Sequence, residues 1–142
     1  MKPFESFLNG KEVKKSSANK ILAKALIGDM KTRLKENWDL NEKEKPKTIF
    51  ENIYEAIRCF CDALIAIDGF KSYSHEASIS YLLKKDFDIA TVKKLDDFRF
   101  KRNGSRYYGR IITPEDVKDI KIFYLKIKEK IKKIIKENNL EK

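Results

Sequence analysis

The sequence predicts an all-α fold, an up-and-down bundle of about five helices in one domain over residues 1–142. The length is that of a typical domain, and 42% hydrophobic residues suffice for one continuous core. Only 5 Gly and 3 Pro are present, fewer than a fold of many short strands and turns uses. Apolar residues also recur at helical spacing along most of the chain. Residues 1–15 are a candidate flexible segment.

Two long helices are predicted in the first half. Ser16 and Ser17 can cap a helix over residues 18–37 through their hydroxyl groups. Pro46 suits the first turn of a second helix, over residues 46–68, because the N–H that proline lacks is unpaired there in any case. This second helix is apolar on more than one side, which predicts a central position with several packing neighbours.

Both cysteines, Cys59 and Cys61, lie on this central helix. Two residues apart on a helix, their side chains diverge by about 200°, so they cannot easily form a disulfide or chelate one ion together. We interpret them as small apolar core residues.

Three more helices follow. Ser74 can cap a short helix over residues 75–85, and Asp88 opens a fourth helix that ends at Gly109 at the latest. The last helix has the clearest start in the chain: Thr113 as cap, a proline directly after it, and two acidic residues at the positive helix end.

The net charge is +10, from 32 Lys plus Arg against 22 Asp plus Glu. Such an excess attracts phosphate-bearing partners, and nucleic acid is the first to consider. A heavily charged surface of the thermophile type is the alternative. The N-terminus lacks the apolar run of a secretory signal, and no apolar stretch approaches the roughly 20 residues that span a bilayer. We expect a cytoplasmic protein without membrane association.

Several catalytic classes are excluded by composition. One histidine and two cysteines cannot form a histidine-based serine triad or a Cys/His zinc cluster within the chain, and there is no Gly-rich phosphate loop. No metal and no cofactor are expected. The single histidine, His75, either closes the turn after its capping serine or folds back towards Arg102 as an acid or base.

The polar residues that could form a site are concentrated at the end of the fourth helix. Guanidinium groups bind phosphates in a forked geometry, and tyrosines can stack on bases. The segment therefore suits RNA or nucleotide binding. Alternatively, its arginines bond to helix-end carbonyls or to Asp96 and Asp97, and the tyrosines fill the edge of the core. The residues concerned are Arg99, Arg102, Asn103, Arg106, Tyr107, Tyr108 and Arg110.

This segment resembles the HEPN family, whose motif is an arginine, often followed by asparagine, and then a histidine after four to six intervening residues. Arg102 and Asn103 match the start of that motif. The resemblance extends back through residues 63–70 and the serine–histidine turn at residues 74–77, and forward into residues 111–116. It covers most of the chain from the first predicted helix onward.

The resemblance implies a helical bundle that pairs as a homodimer, with both arginine motifs in one basic cleft. Active family members are metal-independent ribonucleases, often toxins, and many are encoded beside a minimal nucleotidyltransferase that acts as antitoxin. The sequence departs from the family at Tyr107, which stands where the catalytic histidine would fall. A phenol is a poor general base at neutral pH unless neighbouring arginines activate it.

For this chain the resemblance implies that Arg102 binds the phosphate. It implies that Tyr107 replaces the histidine as a hydroxyl donor. Asn103 would orient the arginine or the substrate. Arg99, Arg106 and Tyr108 complete the predicted nucleic-acid or nucleotide site. In some family members the partner transferase adds AMP to a motif tyrosine, so Tyr107 or Tyr108 is also a candidate modification site.

Three functions follow as hypotheses. The first is an RNA- or nucleotide-binding protein that acts as the metal-independent ribonuclease toxin of a toxin–antitoxin pair. The second is a non-catalytic interaction module that partners a minimal nucleotidyltransferase. The third is a bundle that uses its charge only for solubility, and it predicts that Arg102 is paired with an internal carboxylate and lies far from any cleft.

Overall fold

The computed structural model describes residues 1–141. In that range it contains six α-helices, one 3₁₀ helix (Tyr81–Lys85) and a two-stranded antiparallel ribbon. The elements are α1 (Phe4–Asn9), β1 (Val13–Lys15), α2 (Lys20–Asn37), α3 (Pro46–Ile67), β2 (Phe70–Ser72), α4 (His75–Ser80), α5 (Ile89–Tyr108) and α6 (Pro114–Glu137). The prediction of a mainly helical fold is confirmed, and the short ribbon is an element that the prediction did not include.

The α3 helix is the centre of the molecule, as its apolar pattern predicted. It packs chiefly on α2 and α6, and also contacts α4, α5 and β2. Both cysteines are buried and free. Thirteen of its residues are buried: Ile49, Phe50, Ile53, Tyr54, Ala56, Ile57, Cys59, Phe60, Cys61, Ala63, Leu64, Ile65 and Ala66.

Aromatic contacts hold α5 against the centre. The Phe98 ring meets Phe50 of α3 edge-on with centroids 5.9 Å apart, and Phe123 of α6 at 5.3 Å. Such pairs contribute about 0.5–1.5 kcal/mol each beyond the area they bury. They fix the helix one turn before Arg102 and so determine where the motif faces.

The N-terminal segment, a candidate flexible segment from its sequence, has side chains packed into the fold. Phe4 and Phe7 of α1 are buried, and the Phe4 ring lies 4.5 Å from Tyr81 and 5.3 Å from Phe70 between centroids. β1 then pairs with β2, with Val13 opposite Ser72. Segments this short give little periodic signal, so tertiary contacts decide their structure.

Helix boundaries differ from the prediction in two places. The cap of α2 is Asn19 and not Ser16 or Ser17: the Asn19 Oδ1 atom accepts a hydrogen bond from the Leu22 N–H at 3.0 Å. Ser16 instead extends the ribbon, because its N–H donates to the Gly69 carbonyl at 2.8 Å. The predicted helix over 75–85 divides into α4 and the 3₁₀ helix.

Other boundaries are confirmed. The last helix has the capping box that its sequence indicated, with Thr113 and Asp116 as reciprocal partners. The fourth predicted helix ends at Gly109, at a φ of 68°.

A candidate arginine–histidine site

Helix α5 presents a cationic stripe as a continuation of its buried face. Arg99, Arg102 and Arg106 are spaced three and four residues apart, so their side chains lie on one side of the helix. The stripe follows the same spacing as the buried Leu95 and Phe98. Arg102 is consequently only 8% exposed, which is rare for a charged residue and costs desolvation free energy unless the charge has partners.

Residues of α3 supply those partners. The Arg102 Nη2 atom lies 3.2 Å from Glu55 Oε1, and the Arg102 guanidinium carbon lies 5.9 Å from the Tyr54 ring centroid. The other oxygen of Glu55 is 3.3 Å from Arg58 Nη1, so one carboxylate serves two arginines. Arg102 Nη1 also donates to Asn103 Oδ1 at 3.3 Å.

One N–H of this arginine is left over. The Nε atom of Arg102 is buried and has no hydrogen-bond acceptor among residues 1–141, and Glu55 Oε1 and Arg58 Nε in the same cluster likewise lack a hydrogen-bond partner. A buried donor on a charged group without a partner costs about 1–3 kcal/mol or more. A bound anion would remove that cost.

His75, the first residue of α4, contacts the same tyrosine. Its Nδ1 atom is 3.2 Å from the Tyr54 hydroxyl oxygen, and the two rings stack with centroids 6.2 Å apart at 16°. Arg102 and His75 therefore have Tyr54 as a common neighbour. The sequence left two roles open for this histidine, and the fold brings it towards the arginines.

The lowered pKa of His75 agrees with its position near the arginines. Burial, and after it the charges of four arginines, lower the pKa of its imidazole to about 4. The ring is consequently neutral at pH 7. The arginines are Arg58, Arg102, Arg99 and Arg106.

A small polar cavity of about 280 Å³ opens beside Arg102. Its walls bear three guanidinium groups and two carboxylates. Arg102 is thus paired with an internal carboxylate, as the solubility hypothesis required, yet it lines a cavity, which that hypothesis did not expect. The lining residues are Arg33, Glu51, Asn52, Glu55, Arg102 and Arg106.

The predicted site residues are not equally free to bind a ligand. Arg99 is bound internally, at 2.7 Å from Asp96 and 3.9 Å from Glu76, as the structural alternative proposed for this segment. Arg106 is exposed, and no ion pair within residues 1–141 includes it. Asn103 is half-buried beside Arg102. Of the predicted arginines, Arg102 and Arg106 line the cavity.

The two tyrosines lie on the outside of the helix end. Tyr107 is 64% and Tyr108 79% exposed. Tyr107 follows Arg102 by five residues, which places it about 140° around the helix from that arginine. Its ring centroid is 5.9 Å from the guanidinium carbon of Arg106. The role of Tyr107 as substitute for histidine stays a prediction.

The contribution of α3 to the site was not predicted from the sequence. Arg102, Arg106 and His75 are the arginine–histidine site. Tyr54, Glu55 and Arg58 lie beside these residues, but none of the three was named as a site residue. The available signal was Glu55 and Arg58, two charges in the middle of a central helix whose other residues are mostly apolar. Charges there must be paired or face a polar site.

The described residues contain neither a metal site nor a membrane-spanning helix, and comparison of the sequence with known proteins gives no match. In residues 1–141 no cluster of three or more His, Cys, Asp or Glu side chains is arranged to bind a metal ion. Over the same range no helix combines the length and apolar character needed to cross a membrane. No protein-family model, curated protein or solved structure matches the sequence.

Proposed function

We propose that the chain is a HEPN-like protein that binds RNA or a nucleotide at the arginine–histidine site and cleaves RNA there without a metal. The observation that supports this best is the buried Arg102, whose Nε–H lacks an acceptor, together with a neutral His75 that contacts the same Tyr54 ring. An anionic oxygen would satisfy that donor. Arg106, exposed on the same face, supplies a second positive charge for the phosphate.

His75 is suited to accept a proton once phosphate is bound. In the tautomer whose Nδ1–H donates to the Tyr54 hydroxyl oxygen, Nε2 has a free lone pair. A pKa of about 4 makes it a weak base in the free protein. A bound phosphate offsets the arginine charges that help to lower this pKa, so the base becomes stronger when substrate is present.

The proposed reaction is internal transesterification of RNA. The 2′-hydroxyl loses its proton to His75 and attacks the adjacent phosphorus, and the leaving 5′-oxygen takes up a proton. Arg102 and Arg106 stabilise the added negative charge on the phosphorus oxygens. Tyr107 is the candidate proton donor to the leaving oxygen. The protein would act as the toxin of a toxin–antitoxin pair and as a homodimer.

The first test separates binding from cleavage. Because His75 is the single histidine, its imidazole resonance can be followed by proton NMR while 5′-AMP or a short single-stranded RNA is added. We expect the pKa of His75 to rise on binding. Cleavage of labelled RNA without metal should be lost in Arg102→Ala and His75→Gln, and reduced in Tyr107→Phe.

Lys132→Ala is the matched control, since it removes one exposed positive charge from α6. It should leave the resonance shift and cleavage unchanged. An RNA that binds without moving the His75 resonance would contradict the site. Binding with no cleavage would leave an RNA-binding protein without this enzymatic activity.

A second candidate is the non-catalytic partner of a minimal nucleotidyltransferase. It is supported by the exposed side chains near the end of α5, namely Phe100, Tyr107, Tyr108 and Ile111. Two accessible phenols suit modification, and adjacent apolar side chains suit docking. Incubation with such a transferase and ATP, followed by mass spectrometry, should show one added AMP. Tyr107→Phe and Tyr108→Phe, made separately, identify the acceptor.

A further inference from the structure

The two-stranded ribbon places like charges opposite one another. Lys14 of β1 is the direct cross-strand partner of Lys71 of β2. Directly opposed like charges destabilise an antiparallel pair. In residues 1–141 neither lysine takes part in an ion pair with a carboxylate. An anionic ligand between the two lysines would relieve this repulsion.

An aromatic ring lies beneath both charges. The Lys14 Nζ atom is 5.9 Å and the Lys71 Nζ atom 5.5 Å from the Tyr73 ring centroid. Tyr73 is 61% exposed, so a large part of its ring is open to solvent. Its backbone is nevertheless held, because its N–H donates to the Glu12 carbonyl at 2.8 Å. The result is an accessible aromatic ring on an anchored backbone, with two cations close to the ring.

This arrangement has the two components that single-stranded nucleic acid requires. Phosphates need positive charge along the strand, and exposed bases need aromatic faces on which to stack. A free phosphate or an acidic peptide would use the lysines but would leave the tyrosine face without a function. The ring therefore favours an unpaired base.

We propose that Lys14, Lys71 and Tyr73 form a binding surface for single-stranded RNA, with one base stacked on Tyr73 and a phosphate between the lysines. The proposal rests on the proposed function, because it supplies a second anchor for a strand held at the arginine–histidine site. Tyr73 and His75 are two residues apart, so their Cα atoms are at most about 7 Å from each other. A single strand can therefore contact both.

The test compares a labelled single-stranded RNA of about ten nucleotides with 5′-AMP. Tyr73→Ala should weaken binding of the RNA roughly tenfold, since stacking on an aromatic side chain contributes that order of affinity per base. Tyr73→Phe keeps the ring and should retain the affinity. The 5′-AMP-induced shift of the His75 resonance should persist in both variants.

The lysines are tested by salt dependence. Lys71→Glu should weaken RNA binding and reduce the slope of log affinity against log salt by about one or two. Lys132→Glu on α6 makes the same charge change at an exposed position away from the ribbon and should alter affinity less. Melting temperatures of the Tyr73 and Lys132 variants should match the wild type, because these side chains are exposed. That of Lys71→Glu should be equal or slightly higher, because the substitution replaces a like-charge pair with Lys14 by an opposite-charge pair.

The outcomes separate the two proposals. If 5′-AMP shifts His75 while Tyr73→Ala binds RNA as tightly as the wild type, the ribbon surface is wrong and the arginine–histidine site stands. If Tyr73→Ala weakens RNA binding but no ligand moves the His75 resonance, the ribbon surface stands and the arginine–histidine site is wrong. Failure of the wild type to bind RNA overturns the ribbon surface, and if 5′-AMP also leaves the His75 resonance unmoved, it overturns both.

Discussion

Glu55 and Arg102 form a largely buried ion pair, with Oε1 and Nη2 3.2 Å apart. The same carboxylate also serves Arg58, so the charge of Arg102 is only partly compensated. An internal partner is what a purely structural arginine needs. It is also what a binding arginine needs in the absence of ligand, because an uncompensated buried charge is costly. The two interpretations differ in what happens when the carboxylate is removed.

Glu55→Gln should strengthen RNA binding several-fold while lowering the free energy of unfolding by about 1–3 kcal/mol. The substitution keeps the shape of the side chain but removes the charge that competes with phosphate for Arg102. RNA affinity by fluorescence anisotropy and stability by urea unfolding measure the two effects separately. A loss of stability with unchanged affinity would favour the solubility hypothesis. Glu51→Gln, also in the cavity wall, tests whether any lost negative charge has the same effect.

His75 should make the protein less stable as the pH falls. Its folded-state pKa, about 4, is below the unfolded value of 6.5, so the unfolded chain binds the proton more readily. Above pH 6.5 the histidine is neutral in both states and the free energy of unfolding is highest. This free energy decreases as the pH falls from 6.5 towards 4, because the unfolded chain takes up the proton first. Because His75 is half-buried and still partly solvated, the loss should be about 1 kcal/mol, well below what the full shift implies.

Urea unfolding between pH 7.5 and 4.5 measures this dependence. The difference between wild type and His75→Gln isolates the histidine from the titrating carboxylates. Arg102→Ala should raise the pKa of His75, read from its single imidazole resonance, because one of the lowering charges is gone. An unchanged pKa in that variant would show that the arginine and the histidine are not neighbours in solution.

Phe7→Ala should destabilise the protein by about 3 kcal/mol, the usual effect of truncating a buried phenylalanine. The ring belongs to α1, in the segment that the sequence left as a candidate flexible segment. Phe100→Ala, which truncates an exposed ring on α5, should cost much less. A small loss for Phe7→Ala in urea unfolding would show that residues 1–15 are not docked.

The long helices were predictable because each has both a periodic pattern and a start or stop signal. Thr113 with the proline after it fixed the start of α6, and Gly109 fixed the end of α5. The ribbon was not predictable, since Val13–Lys15 and Phe70–Ser72 are three residues each and become strands only by pairing.

The arginine half of the site was predictable from the sequence, whereas the half formed by His75 and Tyr54 was not. The arginines on α5 are close in sequence and visible as a cluster. His75 and Tyr54 are separated in the chain by 21 residues and meet through the packing of α4 on α3. A sequence pattern identifies residues on one helix face, but it does not identify which residue of another helix lies against them.

Gly69→Ala should destabilise the protein more than Gly109→Ala, although both glycines have positive φ. Gly109, at φ 68°, has open space where a Cβ would lie, so the cost is that of the left-handed backbone alone, about 1 kcal/mol. Gly69, at φ 84°, would place its Cβ 2.9 Å from the Ser16 carbonyl oxygen, a backbone atom that cannot move aside without breaking the ribbon. We expect about 2–4 kcal/mol there. Urea unfolding of the two variants gives the comparison, and equal losses would mean that the ribbon does not close against Gly69. If the ribbon is also the RNA-binding surface, Gly69→Ala should weaken RNA binding and Gly109→Ala should affect it less.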